Sequence, residues 1–104
     1  MDHYKVDVSE TAENDLLDIV RYIASQFSAP ITALNMMDLL EEAMASLSKT
    51  PQRIPLVRDD RLAQMGYRHL GVKNYLVFYI IDEKNKVVDV ERILYARRDW
   101  KRIL

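Results

Sequence analysis

Arg68, Lys73, Arg97 and Arg98 are the residues of this 104-residue chain whose types and places could do chemistry. Each stands at the end of an apolar run, in "GYRHLGVKN" or in "RILYARRDW". One cation at a strand end usually guards an exposed edge. Several brought together by neighbouring strands make a footprint for phosphate groups, because guanidinium forks match phosphate oxygens and an ammonium adds a point charge. Successive strand residues point to opposite faces, so one of the adjacent pair Arg97–Arg98 faces that surface. Asp99 is a ready partner for a neighbouring arginine. Trp100 reads as a lid over a helix–sheet seam in preference to a stacking platform.

Other chemistries are excluded by what the sequence lacks. No P-loop, dinucleotide-binding, HExxH or EF-hand pattern occurs, and Gly66 and Gly71 are the only glycines. His3 and His69 lie far apart, with no cysteine to complete a zinc set, so no metal and no cofactor are expected. The serines show no nucleophile-elbow pattern.

The elements that must position the cations follow from periodicity. Tyr4, Val6 and Val8 alternate with polar residues, which predicts a half-buried strand. Ser9 is placed to cap the helix that follows, and Glu10 and Glu13 suit its positive end. Ala12, Leu16, Ile19, Val20, Ile23 and Phe27 mark one face of that helix. "FSAP" breaks it, with Ser28 as the expected next cap and Pro30 in a first turn. Ala33, Met36, Met37, Leu40, Met44 and Leu47 give a second amphipathic helix, and the short break makes an antiparallel hairpin. Pro51 and Pro55 open an irregular connection to about Met65.

Three strands are expected next. Gly66 to Val72 is one, and Lys73-Asn74 a tight turn, with Asn74 suited to the left-handed conformation. "YLVFYII" is apolar on both faces and reads as a central strand with helices on one side. "VVDVERILY" changes parity between Val90 and Ile93, so a bulge near Glu91–Arg92 is required. "RRDWKRIL" makes a last helical turn or a tail. The expected fold is α+β, in the order β-α-α-β-β-β, with both long helices on one face of a sheet whose strands 2–4 form an antiparallel meander. Its other face is expected to meet solvent or a partner. One domain spans residues 1–104, and no apolar stripe is left over that would demand a dimer.

Charge divides unevenly along the chain. Residues 1–50 carry three Lys/Arg against nine Asp/Glu, a net −6, and residues 51–104 carry twelve against seven, a net +5. That asymmetry points to a basic face for an anionic partner. A pI near 6.1 argues against non-specific nucleic-acid binding by the whole surface. The polar opening "MDHYKVDVSE" predicts no secretory signal, and the longest apolar run is too short for a membrane span. With no cysteines, a cytoplasmic location is expected.

The order of elements, with "GYRHLGVKNYLVFYIIDE", "VERILYARRDW" and the helical "RYI", resembles the RelE/ParE superfamily of bacterial type II toxins over essentially the whole chain. The resemblance implies a growth-arresting toxin neutralised by a cognate antitoxin that wraps it, with operator DNA reached only through the antitoxin and no membrane partner. Two activities occur in the superfamily. RelE-like members cut mRNA on the ribosome without a metal. A ribose 2′-hydroxyl attacks the adjacent phosphate, served by an acid, a base and cations. Carried over, Arg68 and Arg98 stand at two of the five RelE-type positions and are the implied catalytic residues. Lys73, Arg97 and His69 would contact phosphate or target. Leu70 and Leu76 stand where a lysine and an arginine belong, and no tyrosine follows Arg98. ParE-like members poison DNA gyrase without that constellation, and an antitoxin-binding homologue without activity is a further alternative. Metal-independent, ribosome-associated mRNA cleavage is the expected action, with the gyrase poison and the inactive antitoxin-binding homologue as its alternatives.

Overall fold

A computed structural model describes residues 3–104. Strand β1 (Lys5–Val8) leads into helix α1 (Glu10–Gln26) and helix α2 (Pro30–Ser46). A single 3₁₀ turn (Pro51–Arg53) and helix α3 (Asp60–Gln64) precede β2 (Arg68–Val72), β3 (Tyr75–Asp82), β4 (Val87–Tyr95) and helix α4 (Trp100–Ile103). The sheet order is β1-β4-β3-β2, with β1 parallel to β4 and the other pairs antiparallel. This is the α+β fold that the periodicity predicts.

Local chemistry explains where α1 starts. The Ser9 hydroxyl accepts from Ala12 N–H at 3.0 Å and donates to the Glu91 carbonyl at 3.0 Å. One side chain thus caps the helix and ties it to β4. The stop is less orthodox. Ser28 adopts a left-handed φ of 47°, and Ala29 N–H reaches back to the Ala24 carbonyl at 3.3 Å. Ser28 therefore fills the post-helix position that glycine usually takes, and Ala29, not Ser28, precedes α2 as its cap residue. The same turn carries Phe27 off the helix and out to solvent, against its expected place on the buried face.

The predicted bulge is present. Phe78 lies opposite Arg92 and Tyr79 opposite Val90, so Glu91 is the extra residue. It lets Val88, Val90 and Ile93 all face the hairpin despite their mixed parity. Under the hairpin, Leu16, Leu40, Met44 and Leu47 pack on Val77, Tyr79, Val88, Val90 and Ile93.

The reverse face is not bare, and the expectation that it meets solvent or a partner is corrected. Val57, Leu62, Tyr67, Phe78 and Leu94 form a second core, with Trp100, Ile103 and Leu104 packed against it. The α3 and α4 turns and the connection before them supply this cover. The physical reason lies in β3: a strand apolar on both sides needs both sides covered, and burying Phe78 and Leu94 is worth about 1.5–3 kcal/mol each. Trp100 is the lid of this second core, its ring 5.4 Å from Phe78.

Candidate functional site: a cation-rimmed aromatic groove

The β2–β3 turn builds one wall of the site. Val72 and Tyr75 pair across it, and Lys73, not Asn74, takes the left-handed conformation (φ 55°). The Asn74 carbonyl accepts from Ala96 N–H at 2.8 Å, so the turn abuts the chain leaving β4. Arg97 and Arg98 follow directly, and Arg98 N–H donates to the Tyr95 carbonyl at 3.0 Å. Lys73, Arg97 and Arg98 are thus carried to one end of the sheet. Among the described residues, no carboxylate ion-pairs with any of the three.

Aromatic rings line what lies between. Tyr75 and Tyr95 are cross-strand neighbours with ring centroids 5.8 Å apart, edge to face. Tyr22 and Phe27, at the end of α1, make a second such pair at 5.9 Å. Together with Ile19, Ile93, Asn74, Asp15, Asp18 and Arg98 they bound an open groove of about 720 Å³. Burial, then the nearby Tyr22 and Tyr95, push the Tyr75 hydroxyl above the usual tyrosine range, so it stays a neutral donor.

On the α1 wall of the groove, Asp15 does the work of a missing strand. β1 ends at Val8, which leaves the β4 edge beyond Val90 unpaired on that side. Asp15 accepts from Ile93 N–H at 2.9 Å and from Arg92 Nε and a terminal guanidinium nitrogen at 2.8 and 3.0 Å. Those bonds are the main reason that the Arg92 pKa is raised. The pair is mostly shielded from water and fixes the bulged part of β4.

Arg68 is elsewhere. It opens β2 opposite Tyr79, about 16 Å of strand away from Lys73. Its guanidinium donates to the Ile54 and Gln52 carbonyls, and the Tyr79 hydroxyl donates to the Pro51 carbonyl at 2.8 Å. Arg68 and Tyr79 therefore clamp the 51–54 segment. The expected gathering of Arg68 with Lys73 and Arg98 over one anion does not occur, because the cations sit at opposite ends of the same strand. His69 is on the reverse face, edge to face with Phe78 at 5.4 Å and with Trp100 at 5.9 Å. Burial lowers its pKa, which favours a neutral packed imidazole. Leu70 packs on the hairpin core and Leu76 on the second core.

Sequence reasoning missed Asp15, Arg92, Tyr22, Tyr75 and Tyr95. Asp15 carried a signal: it lies three residues after Ala12 and four before Ile19, a carboxylate inside the apolar stripe. Among the described residues, no group of three or more His, Cys, Asp or Glu is placed to hold a metal, and no helix is long and apolar enough to cross a membrane.

No curated protein matches the chain. Several solved structures share its fold, three of them as follows. One is the chromosomal ParDE system from P. aeruginosa, with a TM-score of 0.72 and 17% identity over 91% of this chain and 98% of that one. Another is the toxin–antitoxin complex RelBE2 from Mycobacterium tuberculosis, with a TM-score of 0.62 and 23% identity over 91% and 93%. A third is a mutant of the E. coli toxin RelE in the free state, with a TM-score of 0.61 and 20% identity over 98% and 99%. Residues 6–100 match the family model described as the ParE toxin of the type II toxin–antitoxin system parDE. With that match spanning nearly its whole length, the chain belongs to the ParE toxin family of type II toxin–antitoxin systems.

Proposed function

We propose that this toxin arrests growth as a DNA gyrase poison, neutralised by a cognate antitoxin, and not as a metal-independent ribonuclease. The observation that carries the reading is the engagement of Arg68 by the Ile54 and Gln52 carbonyls. Phosphodiester cleavage by a 2′-hydroxyl needs a base at that oxygen, an acid at the leaving 5′-oxygen and cations on the phosphorane. Arg68 is tied to backbone, far along its strand from Arg98. His69 is packed between two aromatic rings with its pKa lowered by burial. Leu70 and Leu76 supply neither charge nor proton. What remains is a surface suited to binding: an aromatic groove lined by Arg98, with Lys73 and Arg97 on the chain segments that adjoin it.

In this reading the groove takes a segment of the partner by its apolar residues, and the rim cations meet partner carboxylates or the phosphates of gyrase-bound DNA. An acidic antitoxin segment covering the same cations would neutralise the toxin. The test is expression of the toxin alone, scoring the SOS response and gyrase–DNA cleavage complexes while mapping RNA 5′ ends. Cleavage complexes with intact transcripts are expected. Codon-phased RNA cuts without DNA damage would overturn the reading. A small acidic gene product from the adjacent reading frame is expected to co-purify with the chain and restore growth.

A further inference from the structure

The second half of the chain carries twelve lysines and arginines, and the fold sorts them by the acceptors they meet. Arg53 and Arg68 are engaged by backbone carbonyls, and Arg92 by Asp15. Lys86 lies with Tyr4 and Glu83. Six of the others follow one another around the end of the sheet. Lys73 sits in the turn that abuts Ala96, Arg97 and Arg98 come next, and Lys101 and Arg102 stand on α4. Arg61 joins them from α3, donating to the Lys101 carbonyl at 2.6 Å. All six residues are exposed. We infer that this tract is a binding surface for the sugar–phosphate backbone of duplex DNA.

The choice of partner rests on what the tract lacks. Trp100, Ile103 and Leu104 turn inward onto the second core, which leaves Lys101 and Arg102 as the outer side of α4. From Ala96 to Leu104 no large apolar side chain is exposed, and the exposed Met65 of the α3 end has its sulfur 4.0 Å from the Arg61 guanidinium. A protein interface needs apolar or aromatic anchors at its centre, whereas phosphates need only cations. Three carboxylates lie in the same segments, and two are occupied: Asp59 caps α3, and Asp99 stands 4.0 Å from Arg102. The rest of the molecule sets the limits. Along β4, away from Arg97, the surface turns acidic at Glu91 and Asp89. Across the sheet the hairpin carries Glu10, Glu13, Asp18, Asp38, Glu41 and Glu42, which phosphates would repel. A duplex is therefore met at one end of the molecule only, and a chain with a pI near 6.1 can still hold a local phosphate footprint. The gyrase reading enters in one respect, the naming of the DNA: the groove takes a protein segment, and the tract beside it takes the duplex that gyrase holds.

Fluorescence anisotropy of a labelled mixed-sequence duplex, titrated with the full chain made by cell-free translation, tests the inference. With about four phosphates neutralised, affinity should fall roughly a hundredfold between about 50 and 200 mM salt. Lys101→Gln combined with Arg102→Gln removes two contacts, so the variant should bind more weakly at low salt and lose only about tenfold over the same range. Trp100 is the only tryptophan and lies on Phe78, so its emission reports whether α4 stays docked in the variant. Lys73→Gln, in a separate turn, should lower the salt slope by about one. A parent that does not bind the duplex, or that binds poly-L-glutamate more tightly than the duplex, overturns the inference. So does a docked double variant with the parent's affinity and salt dependence. The readout needs no gyrase: a toxin that yields no cleavage complexes would end the gyrase reading and leave these affinities as they are.

Discussion

The two ends of β2 carry cations of the same apparent promise and opposite fates. At the start, Arg68 points its fork at the Ile54 and Gln52 carbonyls and holds the loop that feeds α3. Just past the end, Lys73 sits in a turn that abuts the segment carrying Arg97 and Arg98, and none of the three ion-pairs with a described carboxylate. The difference comes from what the topology brings alongside. The chain between α2 and β2 returns past the start of the strand, where Leu56 forms an isolated bridge with Arg68, and it offers carbonyls that need donors. At the far end the nearest chain is the exit from β4, whose own backbone groups are already paired with Asn74 and Tyr95. A guanidinium is therefore structural or available according to the unsatisfied acceptors near it, not according to its place on a strand.

Substitution at the two ends should separate these roles. Arg98→Ala is expected to abolish growth arrest, with target affinity lower on the order of a hundredfold, while the chain stays folded and antitoxin-bound. Plating efficiency under induction, with co-purification of the antitoxin, reads both outcomes. If Arg98→Ala kills as well as the parent, the rim is not the working surface. On the α1 wall of the groove, Asp15→Ala leaves the Arg92 guanidinium and the Ile93 N–H without their acceptor, at a cost of about 3 kcal/mol in chemical denaturation. Arg68→Ala strips a charged donor from two loop carbonyls and should cost about 2 kcal/mol. Its toxicity should persist at temperatures where the variant is folded. Loss of toxicity with unchanged stability would return Arg68 to the active surface.

Legibility in the sequence followed the same division. Periodicity alone reveals the hairpin helices, because apolar spacing in α1 and α2 is strong, and the parity break between Val90 and Ile93 marks the bulge. The cover on the reverse face was harder to read. Val57, Leu62 and Tyr67 lie in a proline-opened stretch with no period, and their burial follows from tertiary return of the chain, not from local pattern. Phe27 fitted the helical stripe by count, but the turn at Ser28 removes it from the stripe. Lys73 and Arg98 could be named from strand ends because short turns fix both positions. Arg68 could not be sorted from them, since its acceptors come from residues more than ten positions earlier. Asp15 was legible as an oddity, a carboxylate on a buried face, but only the register of β1 against β4 shows why the edge of β4 needs it.

His69 gives the finest test of how the two faces of β2 differ. Its imidazole lies against Phe78 and Trp100 with its pKa lowered, burial being the largest cause, while Arg68 on the opposite face is tied to loop carbonyls. In the unfolded chain the ring titrates near the ordinary histidine value of about 6.5. Between that value and the lower folded one, the unfolded state binds more protons, so stability falls as pH falls through this window. Above it the contribution is fully present. Urea midpoints should therefore drop on acidification from neutral pH, and a His69→Gln variant should show a shallower pH dependence. Its growth arrest at neutral pH should match the parent, because the reverse-face imidazole touches neither the groove nor its rim. A His69→Gln chain that folds normally but no longer arrests growth would move the active surface to the reverse face and reopen proton transfer as its chemistry.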